Sequence, residues 1–196
     1  MAETDQQSRV LREVRQDCPG ALDDAIRFAF FRATDEFLRK SRIWKECIEF
    51  DVSVDEKDYY LQTENSGALV LSIERVANPD DFPVSGWMAE PPYLHLRLFP
   101  NQAETYTADV TLTSTDPLDS NDWPRFPRWI WQRYVHVLID GTSGILQSQP
   151  AKPFSSERLA IYNLRRFRDG TSQATHDGAR RNIDGGQRWR FPRGFA

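Results

Sequence analysis

The chain has 196 residues, with 25 basic side chains against 29 acidic, two cysteines, and 12% aromatic content. Six Trp and twelve Phe exclude a disordered chain, and a chain of this length can bury roughly 70% of its unfolded surface. Cys18 and Cys47 form no paired motif, which excludes a disulfide scaffold, and no apolar run reaches the roughly 18 residues of a membrane span.

The opening Met1-Ala2-Glu3-Thr4-Asp5 has no basic start and no apolar run behind it, so the expected location is the cytoplasm or something assembled there. Residues 1–16 are polar apart from Val10, Leu11 and Val14. They read as a flexible or peripheral N-terminus, either frayed or a short helix. Pro19 suits a first helical position, with Asp17 or Cys18 just outside it. Leu22, Ile26, Ala29, Phe30, Ala33, Phe37 and Leu38 then recur at helical spacing, which predicts a helix over about 19–42.

The period then falls to two. Ile48, Phe50, Val52 and Val54 alternate with polar residues and predict a strand. Further strands are expected at Tyr59–Leu61, Ala68–Val76, Tyr93–Phe99 (with Leu94, Leu96 and Leu98 on one face) and Tyr106–Thr113. Residues 77–91, rich in Pro, Asp and Gly, read as an exposed excursion carrying Trp87 and Met88. The strands are grouped rather than alternating with helices, so an antiparallel meander over about 46–115 is expected, not a parallel sheet.

Helix resumes near Pro127 and extends over about 127–147 through Ile130, Tyr134, Val137, Leu138 and Ile145. Gly141 and Gly144 lie inside it. Each glycine costs about 1 kcal/mol of helix stability relative to Ala, so Gly141-Thr142-Ser143-Gly144 either breaks the helix or lets another backbone approach closely. The continuing apolar period favours close packing at Gly141, with Ala29 or Ala33 as partner. Ser155 or Ser156 caps a last helix over about 155–181, through Leu159, Tyr162, Phe167 and Ala174. Beyond a Gly185-Gly186 hinge, residues 187–196 read as an extended tail in which Trp189, Phe191 and Phe195 are interleaved with Arg188, Arg190 and Arg193. Such a pattern suits single-stranded nucleic acid, an interface anchor or an added strand, or packing back on its own domain. The fold class is α+β: a helical bundle with an inserted antiparallel β-meander and an extended C-terminal tail.

Catalytic signatures are missing. His95, His136 and His176 fall in different elements, and no metal-ligand spacing, nucleophile elbow or phosphate-binding loop occurs. Asp58 and Glu56 could flank a site, but carboxylates next to strands usually face water, and His95 reads as a surface or interface residue. No enzyme activity, cofactor or metal is expected. Residues 1–162 hold 17 basic and 26 acidic side chains, a balance of −9, whereas residues 163–196 hold 8 and 3, a balance of +5. An acidic body is poorly suited to gripping duplex DNA, and a basic tail suits an acidic protein surface.

The order of these elements resembles the head-to-tail adaptor (connector) proteins of tailed bacteriophages, from about Cys18 to Ala196. The resemblance rests on Pro19-Gly20-Ala21-Leu22 opening a helix with Ala25, Ala29 and Ala33, and on the segment Pro92-Tyr93-Leu94-His95-Leu96-Arg97-Leu98-Phe99-Pro100. Trp131, Arg133, Tyr134 and Gly141 of the next helix, Phe167-Arg168-Asp169-Gly170, and the closing Trp189-Arg190-Phe191-Pro192 continue it. It implies an adaptor domain over 17–184 and an anchoring tail over 185–196. The expected role is a structural virion protein at the neck, made in the host bacterial cytoplasm. Copies of the chain, usually twelve in the family, would form a ring joining the portal protein to tail or nozzle components. Genomic DNA would pass through the ring without sequence-specific binding, and no membrane is involved. Portal binding falls to Arg188, Trp189, Arg190, Phe191, Pro192, Arg193 and Phe195, with Gly185 and Gly186 as hinge. The alternative is a non-enzymatic binding module, such as a carbohydrate-binding one, using Trp87 and the neighbouring tyrosines.

Overall fold

The computed structural model describes residues 2–115 and 123–181. Two helices, α1 (Ala2–Asp17) and α2 (Asp23–Ser41), precede six strands, and α3 (Arg128–Gln147) and α4 (Glu157–Arg181) follow them. The strands are β1 (Lys45–Val52), β2 (Asp58–Tyr60), β3 (Ala68–Ala77), β4 (Trp87–Glu90), β5 (Tyr93–Leu96) and β6 (Glu104–Ser114). All pairing is antiparallel, and the architecture is α+β. The tail residues Gly185, Gly186 and 187–196 lie outside the described residues.

Of the two alternatives for the first sixteen residues, the helix is observed. Val10 and Val14 are fully buried, and α1 packs on α3. Pro19 does not start α2. The chain is still turning there, because Gly20 takes φ +83°, a left-handed conformation that glycine adopts without a Cβ penalty. The helix begins at Asp23, where Asp23 and Asp24 place negative charge at its positive end. Asp23 also ion-pairs with Arg15 and ties α2 to α1. One stripe of α2 (Ile26, Ala29, Phe30, Ala33, Phe37, Leu38) is buried. The helix stops at Arg42, whose left-handed backbone (φ 48°) aims its N–H at the Leu38 carbonyl.

The strands do not form a meander. They make two three-stranded sheets, ordered β1-β6-β3 and β2-β5-β4. The last and longest strand, β6, inserts between β1 and β3. It is buried on both faces, with Ala108, Val110 and Leu112 on one and Thr111 and Thr113 on the other. α2 lies against β6, and Thr113 Oγ1 donates to Asp35 Oδ1 of α2 at 3.0 Å. The second sheet covers the first: Tyr59, Leu94 and Leu96 are buried, and the Tyr59 ring sits 5.4 Å from that of Phe50 on β1. Trp87 and Met88 are not an excursion, since β4 pairs with β5 from Trp87↔Leu96 to Glu90↔Tyr93. Leu98 does not share the buried face of Leu94 and Leu96. It lies beyond the end of β5 and is 79% exposed. Val54 is likewise past the end of β1 and exposed.

The bundle closes on two seams. Trp131 of α3 stacks on Phe30 (5.3 Å, 17°) and on Phe126 (4.6 Å, 20°), and Trp123 meets Phe30 edge-on at 5.2 Å. These rings clamp the segment leading into α3 against α2. The other seam joins α3 to α4 and is built from glycines. A Cβ on Gly141 would stand 2.6 Å from the Phe167 ring, one on Gly144 2.7 Å from Leu164, and one on Gly170 2.5 Å from Val137. α3 runs unbroken through Gly141-Thr142-Ser143-Gly144. The main partner of Gly141 is therefore Phe167 of α4. Ala33 of α2 comes next at 3.1 Å, and Ala29 is not among its three nearest neighbours.

Candidate assembly surfaces

The residues that chemistry would need are mostly kept apart. His136 and His176 are exposed on different helices. Asp58 and His95 do meet, because β2 and β5 pair them directly, with His95 Nδ1 2.6 Å from Asp58 Oδ1. Glu56 turns instead to the Ser53 hydroxyl at 3.4 Å, and its carbonyl accepts from Tyr59 Oη at 2.7 Å. Among the described residues, no group of three His, Cys, Asp or Glu side chains could hold a metal ion, and no helix is long and apolar enough to cross a membrane. Cys18 is buried beside Asp17. Burial first, and the neighbouring carboxylate second, push its thiol up to about 11, away from the thiolate a nucleophile requires.

A polar spine crosses the helices. Ser143 Oγ donates to Asp17 Oδ2 (3.0 Å), Gln147 Nε2 to the Asp17 carbonyl (3.1 Å), and Asn163 Nδ2 to Gln147 Oε1 (2.9 Å). Asp140 is buried in α3, 3.3 Å from Arg166 Nε of α4. Burial raises its pKa above the usual carboxylate value, more than Arg166 and His136 lower it, and Asp17 adds to the rise. Tyr134 Oη and Arg133 both donate to Asp177 Oδ2, at 2.8 and 2.7 Å. These contacts fix how α1, α3 and α4 sit together.

What remains unused is apolar surface, and part of it is grouped. On α4 the buried positions are Ala160, Asn163, Phe167, Thr171, Ala174 and Gly178. Leu159 and Tyr162 belong to the solvent side instead, and Tyr162 is 57% exposed next to Ile161 at 62%. Arg158 and Arg165 lie one turn either way on that same side, and Arg166 sits 5.7 Å over the Tyr162 ring.

The second sheet presents the other patch. Its register sets out two rows on the outward face: Asp58–His95–Met88 and Tyr60–Tyr93–Glu90. Tyr60 is 59% exposed, Met88 58% and Tyr93 50%. The two tyrosine rings meet edge-on at 5.4 Å and 64°. Trp87 turns inward and packs against the core. Near this sheet, exposed Leu98 and Phe99 line a groove of about 390 Å³ with Val84, Gly86 and Tyr106, and Lys57 Nζ lies 4.0 Å above the Phe99 ring.

In the sequence the second patch was reached only through the alternative that used Trp87 and the neighbouring tyrosines. The α4 face went unread, although Ile161-Tyr162 between arginines was its signal. No protein-family model matches the chain, and no curated protein matches it.

Proposed function

We propose that this chain is a structural, non-enzymatic subunit of a virion. In this reading it is a head-to-tail adaptor whose copies form a ring, twelve being usual in the family it resembles, between a portal protein and tail or nozzle components. The observation that carries the reading is that exposed large apolar side chains cluster on two outward faces, Leu159, Ile161 and Tyr162 on α4 and Tyr60, Met88 and Tyr93 on the second sheet, while others such as Leu22, Phe28, Leu69 and Phe82 are exposed elsewhere. A contiguous apolar surface on a folded chain marks a contact site, and two unlike faces suit a contact repeated from copy to copy. The acidic body agrees with a channel wall that lets DNA pass rather than holding it. Segment 187–196, leaving through Gly185 and Gly186, is proposed as the anchor to the portal, with Trp189, Phe191 and Phe195 filling apolar pockets. Its Arg188, Arg190 and Arg193 would meet carboxylates at the rim.

The test is electron microscopy of the full chain mixed with the portal ring of the same virion, beside a chain ended after Asp184. The expected result is a ring stacked on the portal for the full chain, and a folded but unattached shorter chain. A full chain that leaves portals bare overturns the reading. The paired tyrosines Tyr60 and Tyr93 favour one other reading, a carbohydrate-binding face. Their 64° angle makes a ridge instead of a flat stacking platform, and Trp87 is turned away from it. Saturable binding of an oligosaccharide, lost in Tyr93→Ala, would establish that reading instead.

A further inference from the structure

We infer that neighbouring copies join head to tail, with the outward side of the first half of α4 in one copy lying across the outward face of the β2-β5-β4 sheet in the next. The inference rests on the ring reading above and names the two surfaces that would make it.

Size is the first argument. Three strands spaced about 4.8 Å apart present a strip roughly 10 Å wide. An α-helix with its side chains measures about 10–12 Å across, so the strip seats one helix. Composition is the second. On the sheet, exposed Tyr60, Tyr93 and Met88 form an apolar band running from corner to corner, the carboxylates Asp58 and Glu90 stand at the other two corners, and His95, paired with Asp58, shares the central strand with Tyr93. On α4, Ile161 and Tyr162 form the apolar middle, and Arg158 and Arg165 stand one turn to either side. The apolar band of the sheet meets the apolar ridge of the helix, and guanidinium meets carboxylate at the corners.

The same charges argue against symmetric pairing. Two sheet faces brought together would gather four carboxylates, Asp58 and Glu90 of each copy, with no guanidinium on either face, and two α4 faces would gather Arg158 and Arg165 of each copy. The contact is therefore heterologous, and a heterologous contact propagates into a ring or a filament. Placement allows both faces to be used at once. α4 packs on α2 and α3, whereas the second sheet packs on the first, so each face looks out from a different layer.

The experiment uses the full chain and two variants, each damaging one face at exposed positions. One is Ile161→Asp with Arg165→Glu, and the other is Met88→Lys with Glu90→Lys. Melting curves confirm folding, and if either pair unfolds the chain, Arg165→Glu or Glu90→Lys alone replaces it. Native mass spectrometry then reads the assembly state. The expected result is a closed oligomer for the parent and a monomer for each variant alone. An equimolar mixture of the two variants should give a dimer that grows no further, because only one intact face of each kind remains per pair. If either variant still forms the parent's oligomer, or the mixture stays monomeric, the assigned faces are wrong while the ring reading stands. If the parent itself is monomeric at every concentration and leaves portals bare, both fail together.

Discussion

The inner and outer sides of α4 obey opposite rules. Facing α3, the helix is fitted so closely that Gly141, Gly144 and Gly170 leave no room for a Cβ. Facing solvent, it carries Leu159, Ile161 and Tyr162, which touch the core little and have space around them. The outward face of the second sheet repeats the second pattern with Tyr60, Met88 and Tyr93. Apolar residues thus play two roles in this chain. In the seam they are held by shape, and small residues opposite them are as necessary as the large ones. On the outer faces they are largely exposed among the described residues, which suits contacts between molecules.

The strongest way to break the contrast is at Phe167, which is 2% exposed and fills the seam. Phe167→Ala should cost about 3–5 kcal/mol in urea unfolding, since it removes a buried ring and leaves a cavity that rigid helices cannot close. A cost no greater than that of an exposed substitution would mean that the seam is loose.

Adding bulk should cost less than removing it, though still clearly measurable. Gly141→Leu drives a side chain into Phe167 and Ala33 and should destabilise by about 1–3 kcal/mol through over-packing. The double variant sharpens this. In a Phe167→Leu background the same glycine substitution should hurt less, with a coupling of about 0.5–3 kcal/mol in a double-mutant cycle. Strict additivity would show that Gly141 and Phe167 do not share the space.

A smaller effect comes from the charge at the edge of this seam. Burial raises the pKa of Asp140, so the folded chain holds its proton at pH values where the unfolded chain has released it. Its contribution to stability therefore falls as pH rises from the unfolded value of 3.8 through the raised folded value, and is recovered on acidification. Asp140→Asn removes that titration. Its partner Arg166 is half-exposed, with 51% side-chain accessibility, and loses little when left to water. The variant should melt above the parent near pH 7, with the gap narrowing towards about pH 4. A gap that widens on acidification would mean that the pair with Arg166 outweighs burial.

Much of the fold was legible, for reasons that also explain what was not. The stripe from Ile26 to Leu38 and the change of period at Ile48 are local patterns, and both elements are present. Ser156, one of the two candidate caps, receives the Leu159 N–H on its Oγ at 3.4 Å. Strand order was not legible, because alternation in Tyr106–Thr113 says that a strand exists but not that it enters between β1 and β3. Gly141 signalled a close neighbour without naming it; Ala33 is present, but the large residue Phe167 takes most of the space. The outer face of α4 was the hardest to read. Leu159 and Tyr162 sit at a helical interval that imitates a core stripe, while the true core positions include Asn163 and Thr171, whose polarity hides them. Trp87 was concealed in a different way, in a stretch whose prolines and glycines suggested only loop.

The smallest expected effect on intrinsic stability is the one that completes the contrast. Ile161→Ser and Met88→Ser each remove a large apolar group, yet at exposed positions the unfolding free energy of the isolated chain should stay within about 0.5 kcal/mol of the parent. Protein concentration separates this from their effect on assembly. A chain that associates only when folded gains stability by mass action, so the parent's melting temperature should climb as concentration rises. If the two outer faces meet between copies, each serine variant should lose most of that climb while matching the parent at high dilution. A variant that instead melts low at every concentration would place its residue in the fold. One that keeps the parent's full concentration dependence would place its face outside the contact. The seam variants should show the mirror image, with lower melting at all concentrations and an unchanged slope, because Phe167 and Gly141 act within one chain.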